Sequence, residues 1–396
     1  MIVFIEISFL IIAILIILPM LLLFVESAAA LLPSKSPPSA AKAVRPRVVV
    51  LVPAHNEADG IAATLAILLP QLIPGDRLIA IADNCTDDTA EIARSWGVTV
   101  LERHDSRRRG KGYALDYGLQ FIAADPPDVV VIIDADTHVQ PGSLEQIALL
   151  AWSSGRPVQA IYLLAQPARH NPKSAVSAFA FMFKNLVRSR GLARMGLPCM
   201  LHGTGMALPW SLVGRVSFAS GNIVEDMQLG LDLARAGYPP LFCANAKVTG
   251  VLPQSQQAAK SQRTRWEHGH LQTLRTQVPQ LLTASVQQRR LDLMAMALDL
   301  CIPPLSLLVL MWLVGTAISL ILGGLGLSWL SAKILGVGGI WLLLSILLAW
   351  AKFGTKDLSI GTLLTIPMYV LWKIPIYLAV LVRPQTEWIR TERDPK

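Results

Sequence analysis

The run Val129-Val130-Val131-Ile132-Ile133-Asp134-Ala135-Asp136 decides how this chain is read. Its aliphatic, β-branched residues are too few for a helix and read as a strand buried on both faces, as in a parallel sheet. The strand leads into two carboxylates at i and i+2, a spacing that puts both on one side of an extended backbone. In open α/β sheets ligands collect beyond the carboxyl ends of strands. A pair of hard oxygen donors there suits Mg²⁺ or Mn²⁺ holding a diphosphate. An Asp-x-Asp arises by chance in a chain this long, so the reading depends on what agrees with it.

The neighbouring sequence repeats the pattern. Val48–Val52 is an aliphatic run closed by Pro53, followed by the polar Ala54-His55-Asn56-Glu57 and an apolar-periodic helix over 60–69. Leu78–Ala82 is a second run, ending in Asp83-Asn84-Cys85-Thr86-Asp87-Asp88, where Thr86 or Asp87 can cap a helix through Ser95. A third strand is expected at Val98–Leu101, then Arg107-Arg108-Arg109-Gly110-Lys111-Gly112 and a helix over Tyr113–Ile122. Alternating strands and helices with polar residues at each strand's end predict a doubly wound sheet with a nucleotide-sized crevice.

Farther out the composition changes. The 396 residues are 53% hydrophobic with a net charge of +8, and the mean hydropathy is +0.48. The apolar excess sits at the two ends, which describes a membrane protein with a water-soluble insert and excludes an ordinary soluble enzyme. The basic residues lie near the membrane-proximal segments, where anionic lipid headgroups explain them better than nucleic acid does. Cys85, Cys199, Cys243 and Cys301 form no CxxC pair and read as free thiols in a reducing compartment, with no zinc site.

The sequence divides into an N-terminal transmembrane helix (1–28), a Pro/Ser/Ala linker (29–46), the α/β domain (47–255), amphipathic interface helices (256–300), C-terminal membrane helices (301–382) and a basic tail (383–396). Lys35, Lys42, Arg45 and Arg47 follow the first span, so the positive-inside rule puts the domain in the cytoplasm. Later spans are expected at Ile302–Leu322, Ile334–Trp350 and Ile360–Val382. The last is interrupted by Pro367, Lys373 and Pro375 and either crosses the bilayer or lies in its surface.

Between these spans the polar clusters run in a fixed order: Pro53-Ala54-His55-Asn56-Glu57, Asp83, Arg109-Gly110-Lys111-Gly112, Asp134-Ala135-Asp136, Gly203-Thr204-Gly205, Glu225-Asp226 and Gln262-Arg263-Thr264-Arg265-Trp266. That series resembles the family 2 glycosyltransferases, membrane-anchored enzymes with a Rossmann-like GT-A fold that include cellulose and hyaluronan synthases and ceramide glucosyltransferase. The resemblance covers residues 47 to about 270. Trp388-Ile389-Arg390-Thr391 is similar to a Trp-x-Arg-Thr of many bacterial members, which implies a bacterial inner membrane.

The resemblance implies displacement at an anomeric carbon with a nucleoside diphosphate leaving. It places Asp136 on the metal, with Asp134 on the ribose or sharing that metal, and Lys111 and Arg265 on the diphosphate side. Pro53, His55, Glu57 and Asp83 then face the nucleotide, Asp83 most often the uracil of a UDP-sugar, with a GDP-sugar left open as the alternative. Asp226 is the base that takes the acceptor hydroxyl's proton; read locally, Glu225 and Asp226 could equally favour a helix N-terminus. Gly203, Thr204, Glu225, Gln262 and Trp266 fall to the acceptor. Trp266 can stack on a sugar or sit at the membrane interface, and His268 and His270 line that interface. Arg107–Arg109 can equally be a solvated basic loop.

The expected activity is inverting, metal-dependent transfer of a hexose or N-acetylhexosamine to a lipid or lipid-linked glycan. With at most four spans, single transfer is favoured over a polysaccharide-secreting synthase, although oligomers or polysaccharide-assembly partner proteins could complete a channel. A non-catalytic lipid or partner-binding protein on the same fold would not need Asp136, Asp226 and Arg265 together. A nucleotidyltransferase would have no use for the Glu-Asp and Gln-x-x-Arg-Trp elements.

Overall fold

The computed structural model describes residues 2–33, 44–166, 172–220, 224–253 and 255–382. The aliphatic runs do form strands: β1 (Val48–Ala54), β2 (Arg77–Asp83) and β4 (Val129–Ile132), with β3 at Thr99–Arg103, a little later than the expected Val98–Leu101. These pair in parallel in the order β3-β2-β1-β4. Their side chains alternate between two layers. Val48, Val50, Val52, Val129 and Val131 pack with the helices Ile61–Leu68 and Ser143–Ser154 on one face. Val49, Leu51, Val130 and Ile132 pack with Lys111–Ile122 and Glu225–Arg235 on the other. Strands covered on both faces leave no polar alternation, which is why they read as unbroken apolar runs. Burying each such side chain contributes about 1.5–3 kcal/mol.

The other half of the sheet departs from the all-parallel expectation. Together with β5 (His138–Val139), β6 (Val158–Ala165), β7 (Met206–Pro209) and β8 (Leu241–Val251), the sheet has eight strands in the order β3-β2-β1-β4-β7-β6-β8-β5. β7 runs antiparallel to both β4 and β6, and β5 antiparallel to β8. The reversal has a purpose in the geometry. Met206 at the start of β7 pairs with Ile132 at the end of β4, so the segment entering β7 arrives at the carboxyl edge of the central strands.

A second compact unit is helical, built from the N-terminal helix, residues 172–196 and the chain from His270 onward. Among the described residues three helices are long and apolar enough to cross a membrane: Ile2–Ala30, Leu305–Gly324 and Leu330–Gly354. The apolar run from Ile360 is different. It breaks into Ile360–Leu363 and Ile366–Val382, and the apolar stretch Ile366–Ala379 is shorter than a span. Inside this unit the helical stretch from Pro172 to Arg194 contains a π segment, Phe183–Arg188. Its last residue, Arg188, is buried and reaches Glu26 Oε2 (3.1 Å) and Asp299 Oδ1 (2.5 Å), joining three distant parts of the sequence. The basic tail, with Trp388–Thr391, lies outside the described residues, as do positions 34–43 of the linker.

Candidate active site

Strand β4 ends at Ile132, so Asp134 and Asp136 do not sit on extended backbone as the i, i+2 argument supposes. They lie in a turn closed by Thr137 N donating to Asp134 O at 3.1 Å. Asp134 is half-buried and Asp136 exposed. The Asp134 amide donates to Thr204 Oγ1 at 3.0 Å, and its carboxylate pairs with Lys111 at the start of Lys111–Ile122. Lys111 Nζ also donates to the Gly203 carbonyl at 2.8 Å. Gly203 has a φ of +90°, and the space where a Cβ would stand is 3.2 Å from Asp226 Oδ2 and 3.5 Å from Lys111 Nζ. Lys111, Asp134, Gly203, Thr204 and Asp226 therefore meet at one place, though they come from four separate stretches of the sequence.

The electrostatics describe the same neighbourhood. Burial pulls the Lys111 ammonium down, but Asp134, Glu225 and Asp226 outweigh it and hold its pKa above the ordinary lysine value. Burial, and next the Asp226 charge, push Glu225 up to about 7, with Lys111 opposing. Tyr162 on β6 is a residue the sequence reading passed over, because an aromatic in a strand reads as core. Burial raises its hydroxyl well above the usual tyrosine range, and Asp136, Asp134 and Asp226 add to this while Arg265 opposes it. One hydroxyl thus feels all three acids and the arginine.

A second cluster lies at the ends of β1 and β2. A cavity of about 230 Å³ is lined by His55, Asn56, Asp83, Asn84, Thr86, Arg109 and Gly110. His55 Nδ1 is 2.6 Å from the Asp83 carbonyl. The Asp83 carboxylate is already held: Oδ1 accepts from Arg103 Nη1 at 2.6 Å and from Asn84 Nδ2 at 3.0 Å. Arg103 and Asn84 were not legible as site residues, since only the β2–β3 register sets Asp83 opposite Arg103. Pro53 pairs with Ile81 in the strands beneath. Glu57 is anchored through its amide, which donates to Thr89 Oγ1 at 2.7 Å. Asp87 accepts from Thr89 N and Ala58 N. The helix Thr89–Ser95 has Asp88 at its N-cap and no side-chain capping bond, so the expected cap by Thr86 or Asp87 gives way to bonds that tie the turn to the loop after β1.

Gln262, Arg265 and Trp266 lie on the helix Gln256–Gln288. Gln262 Oε1 and Arg265 Nε are buried with no hydrogen-bond partner among the described residues. Such atoms ordinarily find partners, so this helix presents an unsatisfied acceptor and donor as a ligand-binding wall would. His268 and His270 are both buried rather than set at a surface. Another cavity, of about 250 Å³, opens beside Lys111, Glu225 and Asp226 and is floored by Leu115, Met206 and Leu229. No group of three or more ligating side chains occurs among the described residues. Two aspartates alone suit a divalent cation that takes its other ligands from phosphate oxygens and water.

Comparison with known proteins agrees with this geometry. Residues 46–269 match the family described as glycosyltransferase like family 2. A probable glycosyltransferase of Bacillus subtilis, YdaM, is 24% identical over 57% of this chain and 55% of its own length. The cellulose synthase catalytic subunit of Pseudomonas fluorescens is 28% identical over 60% of this chain and 32% of its own. The chain thus spans about half or less of the curated relatives it matches. Mannosyltransferase PcManGT from Pyrobaculum calidifontis, solved with GDP-Man and Mn²⁺, shares the fold with a TM-score of 0.56, covering 92% of this chain and 99% of its own at 20% identity. The chain belongs to glycosyltransferase family 2, on a GT-A fold.

Proposed function

We propose that this protein is a membrane-bound, inverting glycosyltransferase that moves a hexose or N-acetylhexosamine from a UDP-sugar to a lipid or lipid-linked glycan at a cytoplasmic membrane face. The observation that carries this reading is the convergence of Asp134, Lys111, Gly203 and Asp226 beyond the carboxyl end of β4. His55 and Asp83, with Pro53 and Glu57 beneath, receive the nucleoside. Lys111 and Arg265 face the diphosphate, where fixed cations in a water-poor site stabilise departing charge. Asp136 and Asp134 would hold Mg²⁺ or Mn²⁺, which when bound supplies further neutralisation at the leaving group.

Asp226 accepts the proton of the acceptor hydroxyl as its oxygen bonds to the anomeric carbon and the bond to the diphosphate breaks. A single displacement from the opposite face inverts the centre. Gly203, Thr204, Glu225, Gln262 and Trp266 border the acceptor side. The three apolar helices support an acceptor that arrives in the bilayer plane. The test is a donor screen on membranes with lipid extract, read as sugar incorporation with and without chelator. Incorporation from a UDP-sugar that stops with chelator supports the reading; long polymer as the product would favour a processive synthase. UDP binding with no transfer to any acceptor would defeat catalysis.

A further inference from the structure

Three of the groups assigned to catalysis come from separate elements and meet on one short piece of backbone, His202–Thr204. Gly203 gives its carbonyl to Lys111 and lies against Asp226; Thr204 gives its hydroxyl oxygen to the Asp134 amide. This piece has no regular structure, and such segments are ordinarily the mobile parts of a fold. Here it is held from β6 by one side chain. Gln159 is 0% exposed. Its Oε1 accepts from His202 N at 2.8 Å, and its Nε2 donates to Thr204 O at 2.9 Å and to Ala160 O at 2.9 Å. A single carboxamide therefore bridges the residues on either side of Gly203.

We propose that Gln159 is a positioning residue of the transfer reaction: by clamping His202 to Thr204 it fixes the Gly203 carbonyl against Lys111 and the Thr204 hydroxyl against Asp134, and so sets the distance from the diphosphate end of the site to Asp226. The inference rests on the function proposed above. The clamp's chemistry is narrow, because it needs an acceptor and a donor on one planar group. Leucine supplies neither. A carboxylate supplies only the acceptor, whereas a protonated carboxyl supplies both.

Gln159→Glu should therefore make the site pH-sensitive. A carboxyl buried among backbone atoms keeps its proton above the ordinary range. While protonated it reproduces the two bonds that span Gly203, accepting from His202 N and donating to Thr204 O, and gives up only the bond to Ala160 O; once ionised it faces the Thr204 carbonyl, and the clamp opens. The experiment uses the full chain in detergent and compares wild type, Gln159→Glu and Gln159→Leu by kcat and KM for UDP-sugar, UDP affinity and melting temperature. We expect Gln159→Glu to keep kcat within about threefold of wild type at about pH 5.5 and to fall at least about tenfold below it at about pH 9, recovering on re-acidification. Gln159→Leu should be low throughout, and UDP affinity should move less than about threefold in both. A ratio to wild type that does not change with pH, or a Gln159→Leu with wild-type kcat, would overturn the proposal. So would loss of the melting transition in Gln159→Glu at alkaline pH, which would mean that the amide holds the fold and does not merely position the site. A wild type that binds UDP but transfers nothing defeats the function itself, and this inference with it.

Discussion

Arg103 and Asp83 face each other across neighbouring parallel strands, with Nη1 2.6 Å from Oδ1 and both side chains less than a tenth exposed. Because Oδ1 also takes the Asn84 amide, Oδ2 is the oxygen available to a ligand in the cavity. A base with a single N–H between two carbonyls suits one acceptor oxygen. Guanine, offering N1–H and an amino group side by side, asks for two.

From that pairing we expect UDP to bind at least about tenfold more tightly than GDP, measured by calorimetry on the purified chain. Arg103→Leu should strand a buried carboxylate and lower stability by about 3–5 kcal/mol, read from the denaturant midpoint. Equal affinity for the two nucleotides would refute the single-acceptor argument.

Asp226→Asn keeps the side chain's shape and removes its basicity. Sugar transfer should fall about 10²–10⁴-fold while UDP affinity stays within about threefold. Transfer at the wild-type rate would assign the base elsewhere.

Glu225 links stability to pH. Its folded pKa of about 7 lies above the ordinary value of 4.5, so the folded state binds the proton more tightly than the unfolded chain. Its stabilising contribution is full below about pH 4.5 and is lost as pH rises through about 7. Glu225→Gln should remove this slope: the variant matches wild type near about pH 4 and exceeds it by up to about 3 kcal/mol near about pH 8. Denaturation series at the two pH values check this, and parallel curves would contradict it.

Gly203→Ala tests how tightly the catalytic loop is packed. A methyl group at φ +90° would sit 3.2 Å from Asp226 Oδ2, adding backbone strain of about 1–3 kcal/mol to a displaced carboxylate. We expect a lower melting temperature and at least about a tenfold loss of kcat. Wild-type kcat would show that Asp226 has room to yield.

Much of this was legible along the chain. Val48–Val52 and Val129–Ile133 declare strands because a two-sided core demands unbroken aliphatics, and the polar residues after them mark the edge where ligands bind. What stayed hidden depends on partners remote in sequence. The reversed direction of β7 follows from pairing, which no local pattern encodes, and the turn carrying Asp134 and Asp136 follows from where β4 stops. Gln159 and Tyr162 sit in an apolar strand and become informative only once the segment before β7 and the three aspartates surround them. Arg103 is one basic residue among several until the register sets it beside Asp83.

The Glu26–Arg188–Asp299 triad has a bearing on biogenesis. Arg188 follows Glu26 by 162 positions and precedes Asp299 by 111. A ribosome therefore delivers the first carboxylate to an apolar setting long before its guanidinium exists, and the second carboxylate later still. Unmatched charge among apolar helices is costly, so the Glu26–Arg188 pair can form once Arg188 is made and the triad is complete only when Asp299 joins it. A chain cut short before Asp299 therefore lacks one arm of the triad and leaves Arg188 with Glu26 alone.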